Sequence, residues 1–188
     1  MKKVIAALII LSTFMACKKE NKVVEINEIT QDSLQVENPE VVENTPTKPL
    51  KEVSIAQASD LVKAKENDTL YVTNFFATWC GPCRNEMPHF KEKMETLKGQ
   101  PVKFTFVSLD NKTEWDSAVK NFGDEYGITN NIVLLDGSQL GPDFFSNNFK
   151  TWDGGSIPFT IFSKKGKTDE FLGMMSKEQL EAKLSALQ

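Results

Sequence analysis

Cys80 and Cys83 stand two residues apart, with Gly81 and Pro82 between them and Trp79 just before, in the stretch ATWCGPCRNEMPHF at residues 77–90. Two thiols at this spacing can share a metal ion, staple the chain, or cycle between dithiol and disulfide. A closed zinc site needs four ligands, and zinc folds pair one Cys-x-x-Cys with a second Cys or His pair. This chain has three cysteines and one histidine, His89, and the third cysteine, Cys17, lies far upstream. No resident metal is therefore expected, and a dithiol that cycles on its own two sulfurs needs no cofactor. Redox cycling is the leading reading of the pair, with copper carriage and a static structural bridge as the competitors.

Redox use makes demands on the surrounding elements. If Cys80 opens a helix, the helix dipole and the free backbone N–H groups of the first turn stabilise its thiolate and make it the attacking sulfur. Cys83 then lies one turn in, placed to resolve a mixed disulfide. Cys80 is read as the exposed member of the pair. Pro82 is tolerated because a first-turn proline gives up no helical hydrogen bond.

The flanking sequence supplies these elements. TLYVTNFFA (residues 69–77) is apolar on nearly every position, the pattern of a central strand covered on both faces. After Cys80, Met87, Phe90, Met94 and Leu97 recur at helical spacing, with Gly99 and Pro101 as stop signals. Ser54 can cap an earlier helix carrying Ala58, Leu61, Val62 and Ala64. VKFTFVSL (residues 102–109) reads as a second strand, residues 112–123 as a helix, residues 132–135 as a short strand, and residues 138–150 as a helix with Pro142 in its first turn. IPFTIFS, KKG and KTDEFLG read as strand, turn and strand. Ser176 can cap a last helix with Leu180, Leu184 and Leu187. Alternating strands and helices closed by a hairpin and a helix predict an α/β fold around a mixed sheet, with helices on both faces.

The chain has 188 residues, 40% hydrophobic and 26% charged, with a net charge of −4, so nothing in it argues for nucleic-acid binding. Residues 1–16 begin with Lys2 and Lys3 and continue as an apolar run, the form of a secretory signal and shorter than the ~20 residues of a spanning helix. A signal ending directly in Cys17 resembles the bacterial lipoprotein signal, in which that cysteine is lipidated and becomes the mature N-terminus. Ala16 fits that pattern, whereas Phe14 and Met15 stand where it favours Leu and a small residue. Residues 17–51 are acidic, hold Pro39, Pro46 and Pro49, and contain few large apolar groups, so a flexible tether is expected there. The globular domain is expected over residues 52–188. Together these readings lead to the expectation of a lipid-anchored domain in the bacterial cell envelope, on the periplasmic side.

WCGPC resembles the active site of thioredoxin, and further stretches agree. VTNFFATWCGPC is similar to that family's strand-to-helix entry, and Pro88 stands where its active-site helix is kinked. GSIPFTIF is similar to its cis-proline loop, and FSKKGKTDEFLG to its closing hairpin. Asn74 replaces the buried aspartate that thioredoxin carries six residues before the first cysteine, while Glu86 matches a helix glutamate of membrane-anchored TlpA/ResA-type reductases. The resemblance implies a thioredoxin-like fold and a thiol-disulfide oxidoreductase acting through Cys80 and Cys83, with Glu86 moving protons. It implies that Ile157 and a cis Pro158 hold the substrate backbone and that Trp79 packs beside the cysteines and shapes the docking surface. The implied partners are extracytoplasmic proteins with disulfides, a membrane thiol electron donor, and the membrane itself through Cys17. An oxidase or isomerase of the same fold, and a non-enzymatic metal carrier, are the alternative functions. His89 is read as a surface residue and Asn74 as a buried polar one.

Overall fold

The computed structural model describes residues 49–187. The expected signal, Cys17 and most of the expected tether lie outside the described residues. The domain is a six-stranded mixed sheet in the order β1-β4-β3-β2-β5-β6. Strands β1 (Lys51–Glu52), β4 (Ile132–Leu134), β3 (Val102–Ser108) and β2 (Leu70–Phe76) run parallel to one another, and β5 (Phe159–Lys164) pairs antiparallel with both β2 and β6 (Lys167–Leu172). β2 is central, and six of its seven residues are buried, in keeping with its unbroken apolar run.

Alternation along the strands sorts the core into two layers. Val72 and Phe76 of β2, Phe104 and Phe106 of β3 and Phe162 of β5 join Met87 and Phe90 of α2 (Gly81–Thr96), Phe122 of α3 (Lys120–Tyr126), and Leu180 and Leu184 of α5 (Lys177–Ala186). On the other face Phe75, Val107, Phe159 and Ile161 meet Ala58 and Val62 of α1 (Ile55–Val62) and Phe144 of α4 (Pro142–Asn148). The period-two pleat thus gives each face its own set of side chains. Asn74 and Thr160 fall on the α2 face by the same alternation, and both are buried.

Several helices differ in extent from their sequence reading. The segment expected as a helix over residues 112–123 is a tight turn at Lys112–Glu114, a wide π turn at Trp115–Val119, and then α3, which runs on to Tyr126. Gly123 does not stop this helix. A Cβ there would lie 2.8 Å from Thr129 Oγ1, so the glycine is needed for close packing, and the stop is Gly127 at φ 68°. The helix expected from residue 138 starts only at Pro142. The residue before a proline is kept out of the helical region, and Gly141 is extended at φ −95°, ψ 172°. Helix α2 ends at Thr96, before the Gly99 and Pro101 signals.

Two helices carry a full capping box. Ser176 Oγ accepts from Gln179 N at 3.2 Å while Ser176 N donates to Gln179 Oε1 at 2.9 Å, and Ser54 with Gln57 repeats the pattern on α1. Ser176→Ala frees a first-turn N–H of the helix that carries Leu180 and Leu184 into the core. It is expected to lower stability by about 1 kcal/mol. A urea midpoint unchanged from the parent would contradict that.

Candidate active site

Cys80 is the N-cap of α2, and its Sγ accepts from Cys83 N at 3.2 Å. The two cysteines form a disulfide. Strand β2 delivers the chain to this point through a turn held by Asp110, just past β3. The Asp110 carboxylate accepts from Thr78 N at 3.1 Å, from Thr78 Oγ1 at 2.7 Å and from Ser108 Oγ at 2.9 Å, and is itself buried. Asp110 escapes a motif search because it stands alone at the end of a strand. Its signal is positional: β3 pairs in parallel with β2, so both strands end at the same edge of the sheet.

The second half of the site comes from the other neighbour of β2. Strand β5 pairs antiparallel with Phe75 opposite Phe159, so the residues just before β5 return to the edge where β2 ends. The Ile157–Pro158 peptide bond there is cis. The Ile157 carbonyl oxygen lies 3.7 Å from Cys80 Sγ, and the Pro158 carbonyl accepts from Gly173 N at 2.8 Å. Cys80, Cys83 and Ile157 are therefore brought together, and Pro158, next along the chain, is buried.

Two expectations about exposure change. Cys80 was read as the exposed sulfur, yet in the disulfide it is only 5% accessible, against 0% for Cys83. The Ile157 carbonyl and the turn into α2 cover it. Trp79 was expected to pack beside the cysteines but is 73% exposed, because the anchored Thr78 turn projects it away from the core. It presents a large apolar surface next to the disulfide.

Glu86 lies three residues after Cys83 on the same face of α2, the spacing at which helical side chains are neighbours. It is fully buried. Its Oε1 accepts from Asn74 Nδ2 at 2.8 Å and its Oε2 from Met175 N at 2.8 Å. Burial pushes its carboxyl up to about 7, an effect that the two N–H donors only partly offset. His89 is half-exposed on the same helix. Arg84, also on α2, pairs with Glu125 at 2.9 Å and lies over the Phe122 and Tyr126 rings, bracing α2 against α3. Thr160 and the Met175 backbone were missed as site components, since their partners lie 86 and 89 residues away in sequence.

A redox pair at a helix N-terminus, beside a cis-proline loop, is the arrangement that comparison with known proteins bears on. Residues 36–167 match the Redoxin family. The chain belongs to the Redoxin family. Curated relatives of this redoxin include the thiol-disulfide oxidoreductase ResA of Bacillus thuringiensis (strain Al Hakam), 32% identical over 116 residues, 61% of this chain and 61% of the relative. The thioredoxin-like protein YneN of Bacillus subtilis (strain 168) is 30% identical over 129 residues, covering 68% of this chain and 69% of the relative. The chain thus spans about 61% of the length of the ResA relatives it matches. These relatives place the redoxin with thioredoxin-like proteins of the TlpA/ResA type. Among solved structures, a thioredoxin-family thiol:disulfide interchange protein from Chlorobium tepidum TLS superposes with a TM-score of 0.53 at 21% identity, covering 75% of this chain and 98% of that one. The likeness shows the thioredoxin-like fold.

Proposed function

We propose that this protein is a thiol-disulfide oxidoreductase that reduces disulfides of extracytoplasmic proteins. The observation that carries the reading is the Cys80–Cys83 disulfide at the N-terminus of α2 with the Ile157 carbonyl 3.7 Å from Cys80 Sγ. In the dithiol form the Cys80 thiolate attacks one sulfur of a substrate disulfide. That S–S bond breaks, a mixed disulfide forms, and the departing substrate thiolate takes a proton from solvent. The Glu86 carboxylate takes the Cys83 thiol proton, and a group whose pKa stands near 7 is well matched to that exchange. The Cys83 thiolate then attacks Cys80 Sγ, and the second substrate sulfur leaves and is protonated. The substrate gains two electrons and two protons, and the enzyme is left oxidised. Ile157 offers backbone to an extended substrate chain in β fashion, and Trp79 offers apolar contact.

The proposal includes an anchor and a donor. Cys17 is the lipidation site, and two or more acyl chains hold a protein stably at a membrane surface. The domain works on the periplasmic side, where the oxidising compartment requires a membrane dithiol donor to return Cys80 and Cys83 to the reduced state. The TlpA/ResA resemblance supports reduction as the direction and makes the haem-site cysteines of apocytochrome c a substrate class within the proposal.

Cys83→Ala removes the resolving sulfur and is expected to leave Cys80 joined to its substrates as mixed disulfides in living cells, identifiable by non-reducing gels and mass spectrometry. If nothing is trapped while the protein is abundant, the exchange mechanism fails. A reduction potential near that of a strong oxidant, about −120 mV, would reverse the proposed direction of electron flow.

A further inference from the structure

Asn74 meets Glu86 with an amide whose two ends are in unlike situations. Nδ2 donates to Glu86 Oε1 at 2.8 Å and to Thr160 Oγ1 at 2.9 Å. Oδ1 is buried without a hydrogen-bond partner, on a residue that is 1% exposed. A buried acceptor left unpaired loses its hydration and gains nothing in return. An orphan atom on a side chain that touches the buried carboxyl needs a reason.

As it stands, the network suits a carboxylate, because both Glu86 oxygens face N–H donors. It does not suit the carboxylic acid. A proton on Oε2 would oppose the Met175 N–H, which the backbone holds in place. A proton on Oε1 would oppose the Asn74 Nδ2 hydrogens, but this donor can move. A half-turn about the last Asn torsion exchanges Oδ1 and Nδ2 within nearly the same envelope. Thr160 accommodates either end, since a hydroxyl both accepts and donates.

We propose that Asn74 is a two-position hydrogen-bond switch, turning Nδ2 to Glu86 when the carboxyl is ionised and Oδ1 to Glu86 when it holds a proton. The proposal rests on the reading of Glu86 as proton acceptor for Cys83. Either position leaves one end of the amide unpaired, so the proton on Glu86 decides between them. Glu86 keeps a partner in both states, and Asn74 serves as a positioning residue for the proton step.

Several charged groups on the elements around Glu86 have partners elsewhere, Lys93 of α2 with Glu181 of α5 among them. Arg84 on α2 pairs with Glu125, Glu92 on α2 with Lys177 of α5, and Lys183 of α5 with Asp169 of β6. Glu178 of α5 accepts from Ser176 Oγ, and His89 is half-exposed. On β2 and β5 the groups facing Glu86 are Asn74 and Thr160, both uncharged.

The test is NMR of the oxidised full chain, isotope-labelled, from about pH 5 to about pH 9, bracketing the Glu86 value of about 7. Glu86 Cδ reports ionisation, and the coupling across the hydrogen bond between Asn74 Nδ2 and Glu86 Cδ reports which amide end faces the carboxyl. The coupling is expected above the Glu86 midpoint and lost below it, with the same midpoint. A coupling that persists on both sides while Glu86 titrates overturns the switch and leaves the Glu86 proton role standing. A Glu86 that stays ionised down to about pH 5 overturns both.

Discussion

Cys80→Ser is expected to lower protein-disulfide reduction by roughly 10³-fold or more, the scale on which loss of a covalent nucleophile is felt. The position, beyond the residue type, accounts for the size of the effect. Cys80 caps a helix of 16 residues and already accepts the Cys83 N–H at 3.2 Å, so charge developing on its sulfur meets a donor and the positive end of the helix dipole. Cys83 has no such placement, and its sulfur is wholly enclosed. Alkylation of the reduced protein should therefore label Cys80 first, and the serine variant should lose the rapid phase. Turnover above about a tenth of the parent rate in Cys80→Ser, well outside the loss expected of a nucleophile, would remove Cys80 from that role.

Glu86→Gln is expected to stabilise the oxidised protein at alkaline pH while slowing its reaction. The Glu86 carboxyl stands at about 7 in the folded chain against an ordinary 4.5. Between these values the folded state holds a proton that the unfolded state has released, so stability falls as pH rises through that window. Below it both states are protonated, and above it the penalty for burying the charge is complete, about 3 kcal/mol. Glutamine removes the ionisation and keeps the shape. It can accept from Met175 N through its oxygen, and its amide group can face Asn74 Oδ1 if that side chain turns, at the cost of some hydrogen-bond geometry. A net gain of about 2 kcal/mol at pH 8 and none at pH 4 is expected in urea melts, together with a flattened pH profile. Melts that stay parallel to the parent at every pH would show that Glu86 is not the buried group responsible. Glutamine cannot take the Cys83 proton, and a rate loss of about 10²-fold is the ordinary size of that contribution.

The stabilising direction of Glu86→Gln identifies where the fold carries a cost for its chemistry. A buried carboxyl held by two N–H donors is expensive when ionised, and a leucine or methionine would fill the same helix face between Cys83 and Phe90. The strain is local to one layer, between α2 and the β2–β5 pair. The rest of that layer is aromatic and aliphatic, with Phe76, Phe90, Phe106 and Phe122 closing on one another. Such packing leaves Glu86 few ways to reach water, which is also why its proton has to be managed by neighbours such as Asn74.

The order of elements was legible in the sequence because the signals are local. Apolar runs mark β2, β3 and β5, Ser54 and Ser176 mark helix starts, and Lys165 and Gly166 form the tight turn between β5 and β6, each with positive φ. The paired cysteines were legible for the same reason, as a short string of unusual composition, whereas the Ile157–Pro158 dipeptide was legible only through its resemblance to the thioredoxin family's cis-proline loop. Helix limits were less so where packing overrides composition: α3 runs past Gly123 to Tyr126, and Thr129 leaves no room for a Cβ at that glycine.

What the sequence by itself determined is which residues carry sulfur, acid and apolar surface, and the approximate run of strands and helices around them. Only the tertiary structure decided who meets whom. Antiparallel insertion of β5 beside β2 returns Ile157 to Cys80 across 77 residues of chain, and the pleat sets Asn74 and Thr160 on the face where Glu86 arrives. Asp110 reaches Thr78 because two parallel strands end together. The physical reason is that exposure and hydrogen bonding at this site are properties of contacts between distant segments. Periodicity reports which face of an element is buried, but not what buries it, and the family resemblance that set Trp79 beside the cysteines could not show that its ring stands in solvent.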